Sequence, residues 1–64
     1  MGSAKKRIIL INEREKRKLS QTEVAKYIGI NVMTYSNIER GVRNPGLKTA
    51  IKIADFFKID IKKL

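Results

Sequence analysis

The stretch that decides the fold runs from Gln21 to Arg40, QTEVAKYIGINVMTYSNIER. Ser20 stands just ahead of it, and Ser20-Gln21-Thr22-Glu23 has the pattern of a capping box. There the serine hydroxyl accepts from the Glu23 amide and the glutamate reaches back to the free serine N–H. A helix opening at that box places Val24, Ala25 and Ile28 on one face. Gly29 falls where a helix end needs the left-handed conformation. Asn31 is a good cap for a second helix, inside which Tyr35 and Ile38 face inward together, and Gly41 ends that helix as Gly29 ends the first. The stretch therefore reads as two short capped helices joined by a tight glycine turn.

Working outward, a charged segment from about Lys5 to Arg17 reads as a further helix. Ile8 to Ile11 alone is equally consistent with a short buried strand, but the helix formers from Glu13 to Lys18 favour helix. Downstream, Arg43-Asn44-Pro45-Gly46 is an exposed turn, since proline and glycine both break a helix there. From Leu47 to Phe57 the apolar residues at 47, 50, 51, 53, 54 and 57 predict an amphipathic helix with a broad buried face. Asp60 is placed to cap a last turn that brings Ile61 and Leu64 onto the core. The expectation is an all-α, compact, five-helix domain over residues 5–64. Met1-Gly2-Ser3-Ala4 is expected to be a disordered end or a cloning remnant outside the fold.

Composition narrows the chemistry. The 64 residues contain 15 Lys+Arg against 6 Asp+Glu, a net charge of +9, with neither cysteine nor histidine. A domain this small and this basic is drawn to polyanions, although charge also serves solubility. Without His or Cys there is no thiolate nucleophile and no soft metal site, and the six acids form no pair suited to acid–base work. No phosphate-binding glycine loop is present. The expectation is not an enzyme, with no cofactor, no metal and no small-molecule ligand. No segment approaches the roughly 20 apolar residues of a membrane helix. The run Lys5-Lys6-Arg7 before Ile8-Ile9-Leu10-Ile11 is too short for a signal peptide and lacks a cleavage site. A cationic membrane-active peptide is disfavoured because the charge is spread among caps and turns rather than along one helix face. The absence of cysteine fits a cytoplasmic protein.

Two capped helices around a glycine turn are the layout of a helix-turn-helix motif, here residues 21–40, whose second helix enters the DNA major groove. Ordinary bundles contain such pairs too. What distinguishes this one is the outward face of the second helix. With Tyr35 and Ile38 assigned to the core, Val32, Met33, Ser36 and Asn37 remain, uncharged groups that can approach base edges. An ordinary solvated face more often carries Glu and Lys.

Arg14, Leu19-Ser20-Gln21, Val24-Ala25, Ile28-Gly29-Ile30, Thr34, Ser36, Ile38-Glu39-Arg40-Gly41, Arg43-Asn44-Pro45 and Leu47 stand at mutually specific spacings. Lys52-Ile53-Ala54 and the closing Ile61 to Leu64 extend the pattern. From about Ile8 to Leu64 the chain thereby resembles the Xre family, the lambda-repressor and Cro-like helix-turn-helix proteins. The resemblance implies that Val32, Met33, Ser36 and Asn37 contact bases. It implies that Gln21, Arg40, Arg43, Asn44 and Lys48 contact the phosphate backbone. It also implies that Arg14 and Glu39 form a buried ion pair between the first and third helices, the plain alternative being two unrelated surface charges.

Departures from the family pattern matter as well. Val32 and Met33 are apolar where many relatives carry Arg, Gln or Ser, so they suit thymine methyls better than hydrogen-bonded readout. Lys18 replaces a frequent glycine, Glu13 a leucine, and Phe56 a small residue. Phe56 is expected to be exposed and, with the C-terminal segment, a dimer-surface candidate. The implied function is sequence-specific double-stranded DNA binding by a transcriptional regulator, a repressor acting as a homodimer on a palindromic operator. An antitoxin or restriction-modification controller of the same fold is the alternative, and a protein- or RNA-binding module is another.

Overall fold

A computed structural model describes residues 5–64; the four residues ahead of Lys5, expected to lie outside the fold, are outside the described residues. Four α-helices follow one another, α1 (Ile8–Lys16), α2 (Gln21–Ile28), α3 (Val32–Glu39) and α4 (Leu47–Phe57), and no strand occurs among the described residues. The expected fifth helix is a single 3-10 turn, Ile61–Lys63, whose N-terminus Asp60 caps by accepting from the Lys62 N–H at 2.9 Å. Its backbone bonds are of the i→i+3 kind, the Lys63 N–H donating to the Asp60 carbonyl at 2.9 Å and the Leu64 N–H to the Ile61 carbonyl at 3.1 Å.

The caps around α2 and α3 follow the sequence closely. Ser20 Oγ accepts from the Glu23 N–H at 3.0 Å while Glu23 Oε1 accepts from the Ser20 N–H at 2.8 Å. Gly29 takes φ +85°, and Asn31 Oδ1 accepts from the Met33 N–H at 2.7 Å. Each device satisfies amides or carbonyls that a helix end leaves orphaned. Leu10 of α1, Val24, Ala25 and Ile28 of α2, Tyr35 and Ile38 of α3, and Ile53 and Phe57 of α4 form one buried cluster.

Three further expectations are corrected. The first concerns α1, which begins at Ile8 rather than Lys5. The preceding strap crosses the end of α3, where the Arg7 N–H donates to the Glu39 carbonyl at 2.7 Å, so that amide serves a neighbour instead of a helix. Gly41, at φ +78°, makes room for the strap: a Cβ there would stand 1.8 Å from the Lys5 carbonyl oxygen. At its other end α1 stops at Lys16, and Lys18 takes the left-handed conformation itself, at φ +57°, while the Leu19 N–H donates to the Arg14 carbonyl. The turn for which the family resemblance implies glycine is thus built here on lysine.

The second correction concerns α4, whose buried face is narrower than the apolar pattern predicts. Ala50, Ile53, Ala54 and Phe57 are buried, but Leu47 is 73% and Ile51 51% exposed. A helix lying on one side of so small a core covers a single stripe. In the closing turn Leu64 reaches the core, whereas Ile61 stays exposed. The third correction is Phe56, which is half-buried rather than exposed. Its ring stacks on Tyr27 at 5.4 Å between centroids and meets Phe57 edge-on at 4.9 Å.

Candidate nucleic-acid interface

α3 divides cleanly into two faces. Tyr35, Ile38 and Glu39 are buried; Val32 and Met33 are 40% and 64% exposed, Ser36 and Asn37 are half-exposed, and Arg40 is open to solvent. The outward face therefore holds the four residues expected to meet bases, followed at the helix end by a cation.

What holds that face in place is a charged hub beneath it. Arg14 Nε donates to Glu39 Oε2 at 2.7 Å and Nη2 to Oε1 at 3.2 Å, a two-pronged pair between α1 and α3 with Glu39 only 1% exposed. The remaining Arg14 nitrogen donates to the Leu19 carbonyl at 3.0 Å, which ties down the turn before α2. Burial alone pushes the Glu39 carboxyl towards its neutral form, but hydrogen bonds from Arg14 and Gln21 outweigh it and hold the pKa below the usual carboxylate range. The Tyr35 hydroxyl lies by the same carboxylate, buried and without a well-formed hydrogen bond. Burial and that negative charge raise its pKa far above the ordinary phenol value.

The residues expected at phosphates fall into two groups. Gln21 sits at the first turn of α2, half-buried, with Nε2 donating to Glu39 Oε1 at 3.0 Å. Its side chain thus joins the hub, and one of its amide hydrogens is committed there. Arg40, Arg43, Asn44 and Lys48 are all exposed around the end of α3 and the start of α4. Among the described residues none of these three cations has an acidic partner within ion-pair distance. Arg40 Nη1 makes one long contact, 3.3 Å, to Asn37 Oδ1. The Asn37 carbonyl accepts from both the Val42 and Arg43 N–H groups, so the reading face and the following loop share one anchor.

Sequence reasoning missed two arginines. Arg7 bonds the end of α3 and the loop beyond it. Arg17 donates to the Phe57 carbonyl at 3.1 Å, lies 5.3 Å over the Phe57 ring, and pairs with Glu13. That pair gives a partner to Glu13, which stands where the family resemblance implies leucine, and with Lys16 it holds the Glu13 carboxyl below its ordinary pKa. Arg17 stands one turn after Glu13, a spacing that brings the two side chains together on a helix, whereas no local pattern marks Arg7.

With this geometry in hand, the sequence profile of the helix-turn-helix family matches residues 10–64. The chain belongs to this Xre-like family. Its relatives include an uncharacterised HTH-type transcriptional regulator of Methanocaldococcus jannaschii, 41% identical over 46 residues covering 72% of this chain and 70% of that protein. A second uncharacterised HTH-type transcriptional regulator, from Archaeoglobus fulgidus, is 39% identical over 51 residues, covering 80% and 72%. Among solved structures, the restriction-modification controller protein C.AhdI from Aeromonas hydrophila superposes with a TM-score of 0.74 at 30% identity, covering 84% of this chain and 82% of that one. Among the described residues no cluster of acids is placed to hold a metal ion, and no helix is long and apolar enough to cross a membrane. In this Xre-like domain, then, the polar groups expected to act lie either in the Glu39 hub or on the surface around α3.

Proposed function

We propose that the chain is a DNA-binding transcriptional regulator that lays α3 in the major groove and reads sequence with Val32, Met33, Ser36 and Asn37. One observation carries the reading: an uncharged outward face on α3 stands beside Arg40, Arg43 and Lys48, none of which has an acidic partner among the described residues. Phosphate contacts from the cations and from Asn44 set position, and base-edge contacts from α3 set specificity. Asn37 suits adenine, whose N6–H replaces the long Arg40 contact at Oδ1 while Nδ2 donates to N7. Gln21 supports this face through Glu39 and offers its remaining amide hydrogen to a phosphate.

The same reading extends to a repressor that acts as a homodimer on a palindromic operator. One α3 reads only a few base pairs, and two-fold pairing places two such helices about 34 Å apart on one side of the duplex. Phe56 is packed against Tyr27, so Ile51 and Ile61 beside the C-terminal turn replace it as the apolar contact between copies. A restriction-modification controller is the second reading, favoured by the likeness to C.AhdI. Selection of bound sequences from a random duplex library tests the proposal. A two-fold symmetric motif bound by two chains is expected, and retention of no duplex at physiological salt would point instead to a protein or RNA partner.

A further inference from the structure

The loop that carries Arg43 and Asn44 is held by a residue outside it. Arg7, in the strap before α1, is half-buried, and its guanidinium reaches three acceptors. Nη1 donates to the Ile38 carbonyl at 2.7 Å and to the Arg43 carbonyl at 3.2 Å, and Nη2 donates to Asn44 Oδ1 at 2.8 Å. The Ile38 carbonyl belongs to the last turn of α3 and also accepts from the Gly41 N–H at 3.1 Å, and the negative end of the helix dipole there favours a cation. Among the described residues the buried Arg7 Nε has no acceptor, so its place is set by these three oxygens rather than by full satisfaction of its own donors. Gly41 builds the strap in further, since any side chain there meets the Lys5 backbone.

The chemistry of this contact has a direction. A guanidinium offers only donors, whereas a carboxamide offers one acceptor oxygen and one donor nitrogen. Arg7 therefore accepts Asn44 in one orientation, with Oδ1 inward and the two N–H bonds of Nδ2 turned away. Asn44 is exposed, so its free end presents donors alone, which suits an anion. The bond to the Arg43 carbonyl also fixes the backbone from which the Arg43 side chain projects.

We infer that Arg7 is a positioning residue for phosphate recognition: it orients the Asn44 amide as a donor and fixes the Arg43 backbone, acting through them rather than by touching DNA. This rests on the reading of that loop as a phosphate contact. Lysine at position 7 keeps the charge but has no planar fork and cannot span three acceptors.

The test is fluorescence anisotropy of the full chain on a random-sequence duplex, at a temperature where circular dichroism shows each variant folded. Arg7→Lys and Asn44→Ala are each expected to lose about tenfold in affinity, equivalent to about 1.4 kcal/mol. The double variant should lose no more than the weaker-binding single. Losses that multiply, or wild-type affinity in Arg7→Lys, overturn the inference. Asn44→Asp supplies a second handle should Arg7→Lys not fold. Its carboxylate remains a partner for Arg7, so its melting temperature should hold or rise while binding falls, and wild-type binding by Asn44→Asp would also overturn the inference. Arg43→Ala separates the premise from the inference. If Arg43→Ala and Asn44→Ala both bind normally, the loop is no phosphate contact; if they bind weakly and Arg7→Lys does not, only the role of Arg7 fails.

Discussion

Two sets of basic residues divide this small domain. Arg7, Arg14 and Arg17, in α1 and at its two ends, each bond acceptors on a distant element: the end of α3, Glu39 and the end of α4. Arg40, Arg43 and Lys48, around α3 and the start of α4, stand exposed with no acidic partner among the described residues. The inner set is all arginine, because a rigid fork of donors can join two or three acceptors at once where an ammonium acts as a point charge. The difference teaches that a net charge of +9 does not measure the charge offered to a partner. Part of it serves as internal bonding for a fold that has no cysteine or histidine with which to make disulfides or soft metal sites.

The largest effect should come from breaking the inner set at its most buried point. Arg14→Ala or Glu39→Ala leaves one charge buried and unpaired, a loss of about 3–5 kcal/mol. In a domain of this size each kcal/mol moves the melting temperature by roughly 4–8 °C. Lys16→Ala removes only an exposed 3.3 Å contact to Glu13 and should cost well under about 1 kcal/mol. Thermal melts of the three variants decide the point, and equal losses would mean that the hub is no more important than the surface. The same hub sets an acid limit. The Glu39 pKa is lowered in the folded chain, so its contribution is fully present above the ordinary carboxylate pKa of about 4.3 and is lost as pH falls through the lowered value. The gap in melting temperature between wild type and Glu39→Gln should therefore narrow on acidification below about pH 4. A gap that stayed constant down to the acid end would show that the carboxylate gains nothing from its neighbours.

The outer set should respond differently, in binding rather than in stability. Asn37→Ala is expected to cost roughly 1–3 kcal/mol on the selected operator and little on random DNA, because only a base-edge contact distinguishes the two. Arg43→Ala or Lys48→Ala should weaken both duplexes alike and reduce the log–log salt slope by about 1 for each phosphate interaction removed per subunit. Salt titrations on both duplexes give these quantities together. If Asn37→Ala weakened both equally while Arg43→Ala relaxed base preference, the assignment of groove and backbone roles would be reversed.

The two sets also differ in how far the sequence disclosed them. Around α3 the signals are local: the capping box at Ser20, the cap at Asn31 and the glycines at 29 and 41 each act within a few residues of where they stand, and all take the expected geometry. The outward position of Val32 and Met33 follows from the inward pull of Tyr35 and Ile38. The inner arginines act over 25 to 40 residues of chain, as in the contact between Arg17 and the Phe57 carbonyl, and no local pattern encodes such a partner. Arg14 and Glu39 were legible only through family resemblance, and Arg7 was not legible at all. The start of α1 differs from the expectation for the same reason: the helix formers from Glu13 to Lys18 favour a helix over the charged segment from about Lys5, but the Glu39 carbonyl takes the Arg7 amide. On α4, apolar spacing marks which residues can be buried, while the small core determines which are, and Leu47 and Ile51 stay outside.

The smallest expected effect lies at two lysines that belong to neither set. Lys18, at φ +57°, and Lys58, at φ +58°, follow the ends of α1 and α4 in the left-handed conformation. At Lys58 the turn is closed by the Ile59 N–H donating to the Ala54 carbonyl at 3.0 Å, and at Lys18 by the Leu19 N–H donating to the Arg14 carbonyl at 3.1 Å. A side chain at such a φ costs about 1 kcal/mol or somewhat more through the approach of Cβ to the following carbonyl. Glycine avoids that cost but loses more backbone entropy on folding, by roughly 0.5–1 kcal/mol relative to alanine. The two effects nearly offset, so Lys18→Gly and Lys58→Gly should each stabilise by only a few tenths of a kcal/mol, read as a rise of a degree or two in thermal melts. Among the described residues the lysine side chains make no bond that closes either turn, and Lys58 has only an exposed contact to Asp55 at 4.0 Å. Lys18→Ala and Lys58→Ala should accordingly melt close to wild type, since they keep the Cβ and its strain. A fall of several degrees in the glycine variants would mean that these lysines support the fold through contacts of their own, and would move them into the inner set with the arginines.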